Sequence, residues 1–371
     1  MFDEKQLAAL LPVLQNSEAV IERKRALVGF DGYIDRLVRL RKNQNTPPDY
    51  FNSVGEFTGF IMNYANQSAD INVKRIGDKI GGNGPILADA LARKGVPLTC
   101  VGAFGYPELE NVYQPLNEIC DLISVEETGF TFILEFDDGK IMFGDADSFY
   151  NITWKRLEEV IGHSGLLRLL EECDMLCFAN WSALFESNDL LEGIVKTART
   201  MPNKPRSLFF DIADPAPKTP EQFQELFRLM GEARASFEVI LGLNPKEALI
   251  VYNHFFGAGE AAYSDLLAEK LLEEMPVDEL VVHALDYALA GGKNGSLQSL
   301  QSSPNNLVEK PAVLAGGGDN FNSGYCLGKL LGLSPELCAC LGNLGSQTYV
   351  TSGKASGVSD IIELITKRGY Q

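Results

Sequence analysis

Gly81-Gly82-Asn83-Gly84-Pro85-Ile86-Leu87-Ala88-Asp89-Ala90-Leu91-Ala92-Arg93-Lys94-Gly95 runs straight into Val96-Pro97-Leu98-Thr99-Cys100-Val101, and this stretch decides the fold. A glycine-rich turn opens it, a helix through Ala88 stops at Gly95, and the run from Leu98 to Val101 reads as a buried strand. The same alternation continues downstream. Met175-Leu176-Cys177-Phe178, Ser207-Leu208-Phe209-Phe210, Glu238-Val239-Ile240-Leu241 and Glu279-Leu280-Val281-Val282 suit strands covered on both faces. Between them Glu221 to Met230 and Tyr263 to Glu274 read as amphipathic helices. The pattern predicts an α/β fold, with a mostly parallel sheet and helices on both sides.

Upstream, Ala26-Leu27-Val28-Gly29-Phe30 is a further buried strand, and residues 1 to about 24 read as a helical extension with Leu7, Leu10, Leu11 and Leu14 at helical spacing. One segment departs from the pattern. Gly129 to Phe143 alternates through Phe130, Phe132, Leu134 and Phe136, turns at Asp137-Asp138-Gly139, and resumes at Ile141-Met142-Phe143. That is a hairpin signal, and a hairpin inserted in an α/β chain often forms a flap. Thr46 to Tyr64, with Pro47-Pro48 and Gly55, reads as loop-rich and could join it.

Composition bounds the function. The 371 residues carry 32 Lys+Arg against 50 Asp+Glu, a net charge of −18. No broad surface is available to neutralise nucleic-acid phosphates, so an anionic ligand must be held by local dipoles. No run of about 18 apolar residues appears, so no membrane span is expected. The acidic start Met1-Phe2-Asp3-Glu4-Lys5 is unlike an export signal. Seven cysteines form no CxxC pair and read as reduced thiols of a cytoplasmic protein, and three distant histidines make a His-based metal site unsupported.

Four constellations carry chemistry. Ala315-Gly316-Gly317-Gly318-Asp319-Asn320-Phe321-Asn322-Ser323-Gly324 precedes a helix read from Phe321 to Leu331. Glycines at a helix start let N–H groups converge on an anion, and Asp319 sits where a hydroxyl nucleophile would meet a phosphoryl group. Alternatively, the glycines form a plain turn and Asp319 caps the helix. In Gly81-Gly82-Asn83-Gly84, Asn83 supplies donor and acceptor for a polyhydroxyl ligand, unless this is an ordinary loop. Leu243-Asn244-Pro245-Lys246-Glu247 follows a strand, and its oxygens suit Mg²⁺ held through waters; a plain helix N-terminus is the alternative. Gly29-Phe30-Asp31-Gly32-Tyr33-Ile34-Asp35 places two acids beside glycines, able to accept from sugar hydroxyls or to sit as surface turn acids.

In this order the four features resemble the ribokinase-like (PfkB) family of carbohydrate kinases, from about Ala26 to the C-terminus. Gly316-Gly317-Gly318-Asp319, three residues, then Ser323-Gly324 match its C-terminal signature, and Gly81, Gly82, Gly84, Ala88, Gly95 and Gly105 fall at the spacings of its N-terminal one. The resemblance implies a three-layer αβα sandwich with a central mostly parallel sheet and a small β-sheet lid. It divides the chain into an extension (1–24) and a kinase domain (25–371), with lid segments at about 36–78 and 124–150. It also implies ATP-dependent phosphorylation of a sugar or small polyol. Asp319 is then the base and Gly316, Gly317 and Gly318 the anion hole. Asp31, Asp35, Gly81, Gly82 and Asn83 meet the substrate, Asn244 and Glu247 hold Mg²⁺ through water, and Asn244, Gly316, Gly318 and Asn343 meet the nucleotide. Separately, the apolar residues of the flap hairpin leave a homodimer through the lid as an option.

Departures qualify this. Ile86 stands where the signature has Asn, and Gly105-Tyr106-Pro107-Glu108 replaces Gly-x-Asp. Val313-Leu314 replaces an Asp-Thr pair that helps hold a monovalent cation, which puts potassium activation in doubt. Ala284 to Ala288 replaces a Gly-Ser-x-Gly nucleotide loop, which keeps a nucleoside kinase or an ADP-dependent sugar kinase open as alternatives. A catalytically silent sugar sensor is the alternative from another class. A nicotinamide-dependent oxidoreductase is weaker, because Gly29-Phe30-Asp31-Gly32 has the wrong spacing and an acid where pyrophosphate would lie.

Overall fold

The computed structural model describes residues 2–43, 46–293, 301–305, 307–308, 311–313 and 315–367. In chain order the strands are β1 (Ala26–Gly29), β2 (Tyr33–Leu40), β3 (Val73–Gly81), β4 (Leu98–Gly102), β5 (Asp121–Ser124), β6 (Gly129–Glu135), β7 (Lys140–Asp145), β8 (Met175–Phe178), β9 (Ser207–Asp211), β10 (Glu238–Leu243), β11 (Glu279–His283), β12 (Tyr287–Gly292) and β13 (Gln301–Pro304). The helices are α1 (Glu4–Gln15), α2 (Glu18–Ile21), α3 (Val54–Met62), α4 (Asn83–Arg93), α5 (Gln114–Asn117), α6 (Trp154–Ile161), α7 (His163–Glu172), α8 (Ser187–Ala198), α9 (Pro220–Ala233), α10 (Pro245–Phe256), α11 (Asp265–Glu274), α12 (Gly317–Leu330), α13 (Pro335–Ser352) and α14 (Val358–Lys367).

The large sheet runs β13-β12-β11-β10-β9-β8-β1-β4-β5. Strands β5 through β11 in that order are parallel, and β12 and β13 close one edge antiparallel. Alternate residues of each apolar run face opposite layers. Leu176, Phe178, Leu208, Phe210, Val239 and Leu241 pack against Leu157, Leu170, Leu190, Phe223, Val251 and Leu271 of α6 to α11. Met175, Cys177, Phe209, Ile240 and Val281 pack against Leu10, Leu87, Leu91, Phe321, Leu344 and Ile361 of α1, α4 and α12 to α14. Each buried Leu or Phe is worth roughly 1.5–3 kcal/mol, against about 1 kcal/mol spanned by strand propensity. Helix burial on both faces therefore holds these short strands, as the continuous apolar runs predict.

The small sheet, ordered β3-β2-β6-β7, emerges from the carboxyl end of β1. The expected hairpin is β6–β7, and β6 lies parallel to β2. Strands β2 and β3 went unread because charges break their alternation: Arg36, Arg39, Lys74, Arg75, Asp78 and Lys79 lie along them. Arg36 grips Asp78 across the pair with two bonds of 2.9 and 2.8 Å. The stretch read as loop-rich contains α3. Ser53 Oγ accepts the Glu56 N–H at 3.0 Å, and Val54, Phe57 and Phe60 pack under Val38, Leu40, Phe51, Leu134 and Phe136. Helix α12 likewise begins at Gly317, four residues before Phe321, so the glycines form its first turn. No helix among the described residues is long and apolar enough to cross a membrane.

Candidate active site

The parallel strands end where the polar side chains collect, the edge at which α/β sheets hold ligands. Asp31 follows β1, Asn180 follows β8, Asp211 ends β9, Asn244 follows β10 and His283 ends β11. The N-termini of α4 and α12 are brought together here: Asn83 Nδ2 donates to Asp319 Oδ1 at 2.9 Å. Asp319 is 7% exposed. Burial, then the nearby charges of Asp211 and Asp31, hold its carboxyl well above the ordinary range, and the Asn83 bond pulls it back.

Asp31 lies beneath this pair and is wholly buried. It accepts the N–H groups of Asn83 (3.0 Å) and Gly84 (2.8 Å) and the Asn180 amide (2.7 Å). Helix α4 has glycine at its N-cap, so a distant carboxylate supplies the missing cap. Burial raises Asp31 to about 6 despite these bonds. Asp35 is placed elsewhere, on β2 of the small sheet opposite Lys79 and Thr131. A Cβ at Gly81 would lie 2.3 Å from Asp35 Oδ1, so glycine leaves the room this carboxylate fills. Burial raises Asp35 as well, and Lys79 opposes the shift.

Sequence reasoning missed Asp211, Asn180 and Asn322. Asp211 accepts the Ala213 N–H at 2.8 Å and the Asn322 amide at 2.9 Å, and burial raises it. Both Asn180 (φ 56) and Ala213 (φ 53) are left-handed, and for Ala213 that is a strained conformation. An acid ending the apolar run Ser207 to Phe210 was the one available signal.

Asn244 and Glu247 form a reciprocal capping box: Asn244 Oδ1 accepts the Glu247 N–H at 3.0 Å and Glu247 Oε2 accepts the Asn244 N–H at 2.8 Å. The plain helix-start geometry is thus present, at a position facing the site. Burial and the charge of Asp211 both raise the Glu247 carboxyl. Lys246 pairs with Asp214 at 2.8 Å.

Gly316 to Gly318 line a cavity of about 880 Å³ together with Asn244, His283 and Asn343. Gly316 is left-handed (φ 89) and caps α12 without a side chain, leaving the first N–H groups of the helix for another acceptor. Burial lowers His283 to about 4, so the ring is neutral where it packs, tilted by 30°, with its centroid 4.7 Å from that of Phe321. Asn343 is itself tied down, its amide donating to the Ser303 carbonyl at 2.9 Å. Ala284, Leu285 and Asp286, where a nucleotide loop was sought, form the cavity rim with Val313; Leu314 lies outside the described residues.

The donor set fits Mg²⁺ held through waters and phosphates. Asp211, Glu247 and Asn244 are oxygen donors, and Asn322 Oδ1 is buried without a partner. Among the described residues no three Asp, Glu, His or Cys side chains group closely enough to hold a metal directly. The cavity at the N-terminus of α12 fits a nucleotide.

Comparison with known proteins agrees with this architecture. Residues 2–368 match the family model for prokaryotic ketohexokinase. A ketohexokinase of Haloferax volcanii is 23% identical over 339 residues, 90% of this chain and 88% of that protein. Ribokinase of Thermotoga maritima superposes with a TM-score of 0.59 at 19% identity, over 93% of this chain and 99% of that one. A candidate ribokinase II of E. coli, solved in complex with ATP and Mg²⁺, gives 0.62 at 15% identity over 93% and 99%.

Proposed function

Because this chain belongs to the prokaryotic ketohexokinase family and is a carbohydrate kinase, we propose that it transfers the terminal phosphoryl group of ATP to a hydroxyl of a ketohexose. The observation that carries this reading is the Asn83–Asp319 bond, which holds a buried carboxylate next in sequence to Gly318, a lining residue of the nucleotide-sized cavity.

Asp319 takes the proton of the attacking hydroxyl. Its raised basicity suits the task, since a general base works best with a pKa near the operating pH. The N–H groups from Gly316 to Gly318 receive the charge on the transferring phosphoryl oxygens, where a preorganised donor is typically worth about 3–4 kcal/mol. Magnesium, when bound, neutralises phosphate charge; Asn244 and Glu247, with Asp211 and Asn322 behind them, would hold its waters. Asp35 and Asn83 orient the sugar beside Gly81 and Gly82. Asp31 acts through Asn83, whose backbone it fixes.

The small sheet is the lid in this reading. It carries Asp35 on a strand that can move relative to α12, and closure excludes water that would otherwise accept the phosphoryl group. Met142, Phe143, Val73 and Ile76 on this sheet are exposed, which supports a homodimer through the lid. Seven unpaired cysteines support a cytoplasmic location.

The test is product analysis with ATP and Mg²⁺ across a sugar panel that includes fructose, with ADP as alternative donor and adenosine as alternative acceptor. Phosphorylated ketohexose formed from ATP is expected, and Asp319→Asn should slow its formation by about 10²-fold or more. Preferential use of ADP or adenosine would replace this substrate assignment.

A further inference from the structure

A second cavity of about 690 Å³ lies at the opposite edge of the large sheet, among the residues that lead into β8, β9, β10 and β11. Its lining carries five cations, Lys24, Lys204, Arg206, Arg234 and Lys329, on a chain whose net charge is −18. The carboxylates that line it are already matched. Asp174 meets Lys204 at 3.6 Å and also accepts the Arg25 N–H, Asp278 meets Arg234 at 2.7 Å, and Lys329 spans Glu238 (3.0 Å) and the buried Glu279 (2.8 Å).

Two cations remain. Among the described residues no carboxylate lies within ion-pair distance of Lys24 or Arg206. Arg206 is only 5% exposed. Its Nη1 reaches the carbonyls of Pro202 and Lys204 at 3.2 and 3.5 Å, and its Nε is buried with no partner at all. A buried guanidinium held only by carbonyls is a costly arrangement, and it is unlike the paired cations around it. Two cations without a carboxylate partner, one a guanidinium with its planar fork of donors, suit the negative charge and several acceptor oxygens of a phosphate.

We propose that this cavity binds a small phosphate-bearing anion, between Lys24 and Arg206, at the end of the sheet away from Asp319. The site is independent of the kinase assignment. Neither residue lines the catalytic cleft.

The experiment is calorimetric titration of inorganic phosphate, and separately of a hexose phosphate, into the full chain whose cleft is filled by a non-hydrolysable ATP analogue with Mg²⁺. Wild type should show saturable binding that weakens at least tenfold in Lys24→Glu and in Arg206→Gln. Lys24 is half-buried and unpaired, so Lys24→Glu should retain kinase turnover, which certifies the fold if Arg206→Gln does not accumulate. Tighter binding of hexose phosphate would identify a phosphorylated metabolite as the ligand, and equal binding would identify free phosphate. Absence of saturable binding, or binding untouched by Lys24→Glu, overturns the proposal.

Discussion

Asn83 Nδ2 lies 2.9 Å from Asp319 Oδ1, a hydrogen bond between residues 236 positions apart that ties the first turn of α4 to the first turn of α12. The backbone N–H of the same Asn83 is anchored on Asp31, so a fully buried carboxylate fixes the amide that fixes the proposed base.

That chain of contacts sets a pH dependence. Burial and the charges of Asp211 and Asp31 raise the Asp319 carboxyl, and the Asn83 donor opposes them. Asn83→Leu removes a side-chain bond that lowers it, so the acid limb of the kcat/KM profile should move to higher pH. Loss of this bond is worth about 1–3 kcal/mol, roughly a 10- to 100-fold fall at neutral pH. Asp319→Asn should cost about 10²- to 10⁴-fold at every pH. An acid limb unmoved in Asn83→Leu would show that the bond does not govern the base.

Asp31 links the site to stability. Its carboxyl rises from 3.8 to about 6 on folding, chiefly through burial. The folded state therefore holds this proton more tightly than the unfolded chain. The associated stability is full below 3.8 and is lost as pH rises through about 6. Asp31→Asn should be less stable by about 1–3 kcal/mol near pH 7, because the N–H groups of Asn83 and Gly84 and the Asn180 amide cannot all keep an acceptor. Urea denaturation from pH about 4 to about 7 checks the sign: the advantage of wild type over the variant should shrink as pH rises. A constant or widening gap would be wrong for this account.

Two glycines should separate the two substrates. In Gly81→Ala the new Cβ would lie 2.3 Å from Asp35 Oδ1 and push that carboxylate aside. The KM for sugar should rise about tenfold or more, about 1.4 kcal/mol, with nucleotide KM little changed. In Gly316→Ala the residue keeps φ +89, and its Cβ meets Tyr349 Oη at 2.8 Å. Strain of about 1–2 kcal/mol should distort the α12 turn and raise the KM for nucleotide instead. Steady-state kinetics with each substrate varied in turn read the split, and parallel changes in both variants would refute it.

Lys94 is a buried cation outside the chemistry. At the end of α4 its Nζ reaches Ala90 O (3.1 Å) and Ser323 Oγ (3.0 Å), and burial lowers it from 10.5 to about 7. The unfolded chain holds this proton more tightly, so the lysine costs most at and below about pH 7 and less as pH approaches 10.5. Lys94→Met keeps the packed stem, and Ser323 Oγ keeps its bond to Asn320 O at 2.8 Å. The variant should match or exceed wild type by about 1 kcal/mol near pH 7, with the gain shrinking at higher pH. Thermal denaturation at two pH values decides, and a clear loss of stability at pH 7 would count against it.

The parallel core was legible because β1, β4 and β8 to β11 are buried on both faces and so read as unbroken apolar runs. The small sheet was half legible. Strands β6 and β7 alternate around Asp137-Asp138-Gly139, whereas β2 and β3 face partly outward and their Arg, Lys and Asp residues erase the period. The loop reading of Thr46 to Tyr64 followed from its prolines, and α3 became visible only with the apolar sheet face that Phe57 and Phe60 cover.

The amino-acid sequence by itself determined the layered α/β core, the glycine turns before α4 and α12, and Asp319 at a helix start. Those features are local, set by hydrophobic period and by backbone conformations that few residues adopt. Only the tertiary structure decided that Asp31 caps α4 while Asp35, four residues on, belongs to the small sheet. Only it could set Asp211, Asn180 and Asn322 around the same spot, and bring Lys24 and Arg206 to one cavity. A carboxylate's burial, its basicity and its partners depend on which strand ends meet in space, and residues far apart along the chain leave no periodic trace of that meeting.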